Sequence, residues 1–141
     1  MNSKVLIASL LGAVTAFILG YLLWGMILAD FMSHNSGSAT GVMKTKMGGT
    51  DMLSIFLGNL AISYLFVHIF TKWAGISTFS GGLRAGALIG LLMALGFDLV
   101  SYGANNIMNM NATIVDIIAG TAYYAIIGGV IGGYLNMNNK A

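Results

Sequence analysis

Residues 81–103 read GGLRAGALIGLLMALGFDLVSYG, a run apolar enough and long enough to cross a bilayer as a helix, yet carrying Asp98 near its end. Counting back from Asp98 in fours passes through Ala94, Gly90, Gly86 and Gly82, so one edge of this helix bears only the smallest side chains before it meets a carboxylate. Lipid offers no hydrophobic force to bring helices together, and close backbone packing has to do that work. The last apolar run carries a matching row in Asp116, Gly120, Tyr124, Gly128 and Gly132, with Gly129 and Gly133 beside it. Set antiparallel, the two rows place Gly82 opposite Gly132, Gly86 opposite Gly128, Gly90 under Tyr124, Ala94 opposite Gly120, and Asp98 level with Asp116. A shorter row, Ala8, Gly12, Ala16 and Gly20, lies in the first apolar run. Glycine is common in membrane helices, and a row of fours drifts about 40° per step, so the pattern marks a helix contact without saying whether it lies within or between chains.

The rest of the chain agrees with a membrane setting. Of 141 residues, 57% are hydrophobic and 7% charged, against roughly 25% charged in soluble domains. Four apolar stretches, at about 5–29, 52–71, 83–102 and 113–135, each approach the ~20 residues of a spanning helix. The expected fold is therefore all-α, a single four-helix transmembrane domain built from two antiparallel hairpins. The first run exceeds the ~7–15 residues of a signal-peptide core, which predicts a retained helix. The chain contains neither proline nor cysteine. Disulfides, thiolate metal sites and thioether-linked haem are excluded, and proline-broken helices with them.

Basic residues set the expected orientation. Lys4, Lys72, Arg84 and Lys140 fall on one side of a four-span arrangement and Lys44 and Lys46 on the other, which puts both termini in the cytoplasm. An inner membrane of a bacterium is the expected location. Trp24, Trp73, Tyr102 and Tyr134 stand near helix ends, where interfacial rings collect. The segment SHNSGSATGVMKTKMGGT (33–50) has no apolar periodicity and reads as a mobile connection, and the tail NMNNKA (136–141) is polar.

Candidate chemistry is sparse. Asp98 and Asp116 stand as a facing pair that would share a proton or hold a cation, with Asn59 and Ser63 of helix 2 as further oxygen donors. The alternative is that each reaches the headgroups and is simply solvated. His34 and His68 are separated by most of the membrane and cannot serve one metal; His68 reads as an interface histidine with a hydrogen-bond partner. Met32, Met43, Met47, Met52, Met108 and Met110 map to the outer face beside His34, a donor set suited to Cu(I), although their irregular spacing and the lack of cysteine favour flexible methionine filler. With no glutamate, no Ser–His–Asp pattern and no zinc-helix motif, no enzymatic activity, cofactor, metal centre or nucleic-acid partner is expected.

At GYLLWGMILADFM, through Gly20, Leu23, Trp24 and Gly25, the chain resembles small four-helix bacterial membrane proteins grouped as a domain of unknown function, whose first helix ends in a Gly-x-Leu-Trp segment. Gly25 stands where those proteins carry a tyrosine. The resemblance implies a fold and membrane residence, not an activity. The leading expectation is a helix-packing or accessory subunit working on itself or within a larger membrane complex. The alternative is an oligomeric proton or cation pathway using Asp98 and Asp116, and a third is outer-face copper binding.

Overall fold

The computed structural model describes residues 3–44 and 46–137; Lys140 and the end of the polar tail lie outside the described residues. Five α-helices and no strands are present among them. Helix α1 (Ser3–Gly20) continues unbroken as a π-helical segment, Tyr21–Ile27. A short α2 (Ala29–His34) follows. Helix α3 (Gly49–His68) also loosens into a π-helical end, Ile69–Ala74, and α4 (Phe79–Ala104) and α5 (Met110–Met137) are continuous. The four spans hold 25, 26, 26 and 28 residues at mean hydropathies of 1.8 to 2.3. At ~1.5 Å per residue each exceeds the ~30 Å hydrocarbon core, which leaves its ends at headgroup depth.

The pairing is uneven. Helix α1 packs against both α3 and α5, whereas α4 packs almost wholly on α5. The core is accordingly a three-helix cluster in which Ala8, Ala16, Phe66, Val67, Phe70, Tyr123, Ile127, Ile131 and Leu135 are buried, with α4 laid along its side.

Backbone contact joins α4 to α5. A methyl group on Gly82 would sit 2.1 Å from the Gly128 carbonyl oxygen, and one on Gly128 would sit 2.3 Å from the Gly82 carbonyl oxygen. Each carbonyl occupies the space of the other residue's missing side chain, the arrangement in which Cα–H···O contacts form. The same closeness runs along the seam. Side chains at Gly86 and Gly132 would meet the Tyr124 and Thr78 carbonyl oxygens, both at 2.3 Å. Farther along, Gly90 lies under the Tyr124 side chain and Gly120 faces the Ala94 methyl. The contact is within one chain. Thr78 starts α4 by accepting a hydrogen bond from the Gly81 N–H at 3.1 Å.

The small row of α1 is used differently. Ala8, Gly12 and Ala16 are buried, and a methyl on Gly12 would meet Ile131 at 2.8 Å and Ser63 at 2.9 Å. Three helices thus converge on one glycine.

The connection after the first span departs from the mobile loop that its composition predicts. Residues 35–39 pair with residues 106–109: Gly37 and Ala39 donate to the Ile107 and Asn106 carbonyls, and Asn109 donates to that of Asn35. The Asn109 amide also donates to the Asn35 side chain at 3.1 Å, while its oxygen caps α5 by accepting from the Ala112 N–H. Composition marks this segment as irregular, but pairing with a distant loop leaves no local signature. Farther on, Lys44 pairs with Asp51, which also accepts from the Gly48 N–H at the start of α3.

Alanine at Gly82 or Gly128 must push the two backbones apart, and overpacking of this kind costs roughly 1–3 kcal/mol. Gly96, in the same helix, has no atom within 4 Å of where its side chain would stand. Thermal unfolding in detergent should therefore show Gly82→Ala and Gly128→Ala well below wild type, and Gly96→Ala at or above it. Equal melting of all three would mean that the seam adds nothing to stability.

Candidate functional site

Toward the end where α4 finishes and α5 begins, the helices separate around a cavity of about 150 Å³. Its lining includes Trp24, Phe97, Asp98, Asp116, Tyr123 and Tyr124. Asp98 lies six residues before the end of α4 and Asp116 six after the start of α5, about 9 Å inside each helix end. Both carboxylates are half-buried and share this one cavity. The register of the glycine seam makes them neighbours, because each is the last member of its row.

The two acids are held differently. The Trp24 indole N–H donates to Asp116 Oδ1, whereas Asp98 meets no hydrogen-bond donor among the described residues. Trp24 is thus more than the interfacial ring that its position near a helix end suggests. It is half-buried, sits edge-to-face on Tyr123 at 5.2 Å, and orients a carboxylate. The π-helical segment carries it, with Leu28 donating to the Leu23 carbonyl five residues back at 2.7 Å. Such wide turns recur at functional sites, where they re-aim a side chain. The sequence did hold a signal for Trp24: it lies four residues beyond Gly20, extending the row Ala8, Gly12, Ala16 and Gly20.

One level deeper, Tyr123 ties three helices together. Its hydroxyl lies 3.1 Å from the Ala16 carbonyl oxygen of α1 and 3.0 Å from Asn59 Oδ1 of α3. Asn59 is therefore engaged by a tyrosine rather than lining the acidic cavity, which places it apart from Asp98 and Asp116. Tyr124 packs edge-to-face on Tyr123 at 4.9 Å and stacks on Phe66 at 5.7 Å. Ser63, a turn beyond Asn59, is 1% exposed with its hydroxyl unpartnered among the described residues. It rests against Gly12, where a side chain would meet its hydroxyl at 2.9 Å.

The other candidates stay apart. His34 lies beside the Asp30 carbonyl, with Nδ1 at 2.7 Å, and Met43 and Met47 stand exposed. His68 packs against the rings of Tyr64 and Trp73, at 6.1 and 5.2 Å, and among the described residues these ring contacts stand in place of the hydrogen-bond partner expected for it. Among the described residues no three His, Asp or Glu side chains converge to hold a metal.

Removing the Tyr123 hydroxyl leaves Asn59 without its buried partner. In a double-mutant cycle, Tyr123→Phe and Asn59→Ala should couple by roughly 0.5–3 kcal/mol, measured as unfolding free energy in detergent. Strict additivity would mean that the two groups do not interact. Comparison with protein-family models, curated proteins and solved structures finds no match for the chain.

Proposed function

We propose that this integral membrane protein holds a proton or a small cation between Asp98 and Asp116. The observation that supports this is their shared cavity, which has no lysine or arginine in its lining. Two ionised carboxylates side by side at this depth repel each other and have lost part of their hydration. A proton or a cation removes that cost, and Trp24 keeps Asp116 turned toward the place where either would sit. Movement of the ion through an assembly of several copies would make the protein a component of a proton or cation pathway.

The test is thermal stability in detergent with Na⁺, K⁺ or Ca²⁺ added, across pH 4–9, for wild type, Asp98→Asn, Asp116→Asn and the double variant. Wild type should be stabilised by protons or by one of these cations, by about 2.7 kcal/mol at a hundredfold excess over Kd. Each single variant should lose most of that response, and the double should lose no more than either single. A response identical in wild type and double variant would overturn the proposal.

A second reading, an accessory subunit of a larger membrane complex, is favoured by the position of α4. That helix leaves Leu88, Leu92, Phe97 and Val100 exposed at 59–71%. Its glycine row is filled by α5 of the same chain, so a partner would meet this larger apolar face instead. The mass of the assembly released from native membrane by mild detergent distinguishes a lone chain, a self-assembly and a complex of fixed composition.

The proposed orientation, in a bacterial inner membrane with both termini in the cytoplasm, places the acidic cavity toward the outside. A cysteine at Ser38 should react with an impermeant thiol reagent added to intact cells, and one at Ser77 should react only after permeabilisation. The opposite pattern would invert the topology.

A further inference from the structure

The acidic cavity is walled by rings as much as by acids. Trp24, Phe97, Tyr123 and Tyr124 all line it, beside Asp98 and Asp116. Trp24 stands at 79° to Tyr123, and Tyr123 at 75° to Tyr124, so successive rings turn a corner and cannot form one flat surface. Phe97 lines the cavity and is also 71% exposed, which leaves the α4 side as the way in. At about 150 Å³ the space equals a cavity that accepts benzene, a molecule of about six heavy atoms. The oxygen donors suit a bare metal ion poorly. A calcium ion takes ~6–8 oxygen ligands. Here the Tyr123 hydroxyl is held between the Ala16 carbonyl and Asn59, and one oxygen of Asp116 already accepts from Trp24. The Asp98 carboxylate, the second oxygen of Asp116 and the Tyr124 hydroxyl remain, and these side chains alone fall short of that shell.

Rings and carboxylates together suit a different kind of cation. A nitrogen that carries alkyl groups keeps its positive charge but holds water weakly, and aromatic rings attract it. It brings its own apolar shell, so it needs counter-charge and a fitted wall instead of a full set of oxygen ligands. We propose that this cavity binds a small alkylammonium ion, with its charge between Asp98 and Asp116 and its alkyl groups against the aromatic wall. The proposal rests on the reading of the two acids as a cation site, and it gives that cation a chemical class. The size of the space limits the ion to about six heavy atoms, which admits tetramethylammonium and excludes bulky aromatic cations.

The test uses the whole chain carrying Trp73→Phe, which leaves Trp24 as its one tryptophan. Trp73 stands at the other end of the molecule and is 72% exposed, so the change does not touch the cavity. In non-ionic detergent at constant ionic strength, tetramethylammonium chloride should change the Trp24 fluorescence saturably and raise the melting temperature. Neutral tert-butanol, of similar size, should do neither. Phe97→Leu should weaken tetramethylammonium binding roughly 3–30-fold, the range of one cation–π contact. Asp98→Asn should abolish it, and Leu88→Ala, on the exposed side of α4, should leave it unchanged. Melting of each variant without additions separates lost binding from lost folding. Stabilisation by sodium, potassium, calcium or protons with no response to tetramethylammonium would overturn this inference and leave the cation site standing. An equal response to tert-butanol, or undiminished binding in a folded Phe97→Leu variant, would also overturn it. No response to any of these ions would sink both readings, as would tetramethylammonium binding that survives in the Asp98→Asn/Asp116→Asn double variant.

Discussion

The reciprocal approach of Gly82 and Gly128 is the constraint on which the arrangement of the acidic end depends. Two helices can bring carbonyl oxygens into the space of each other's side chains only where both residues lack one, and this fixes helix separation and register together. A slip of one residue toward the start of α5 would set Gly82 against Ile131 and Gly86 against Ile127, and the seam would open. Because the register is rigid, whatever lies at the far end of each row is delivered to a definite place. For α4 and α5 that place is occupied by Asp98 and Asp116.

The same device operates in the third helix of the cavity. Small residues at 8, 12, 16 and 20 let α1 press against α3 and α5, and the next position in that row is Trp24. Three rows of small side chains therefore each end in a polar group, and the three ends meet. The dry, closely packed part of every seam excludes water, while its terminus opens into a cavity that admits polar chemistry. Tyr123 marks the boundary between the two regimes. Its ring belongs to the apolar cluster, and its hydroxyl satisfies the first polar level below the acids.

Charge is segregated along the molecule. All four carboxylate side chains lie in one half, and Lys4, Lys72 and Arg84 stand at the other end. The π-helical ends of α1 and α3 lie at these two places, one beneath Trp24 and one beneath Lys72. A wider turn rotates the residues after it without breaking the chain, and it does so here in a protein that has no proline to bend its helices.

Hydropathy and length were enough to establish four spanning helices, because the cost of exposing backbone polar groups to lipid leaves a membrane segment few alternatives. The spacing of glycine was legible for an equally direct reason: it follows the helical repeat, and a missing side chain has consequences wherever it falls. Other features depended on distant contacts. That the seam closes within one chain, that α4 lies at the side of a three-helix core, and that residues 35–39 pair with residues 106–109 have no local signature. Asn59 was legible as a polar residue within an apolar helix but not as the partner of Tyr123, and Trp24 was legible as an aromatic near a helix end but not as the donor to Asp116. A side chain's type and depth are properties of its own helix, whereas its partner is set by how that helix is rotated against its neighbours. That rotation is decided only when the small-residue edges of separate helices come into contact.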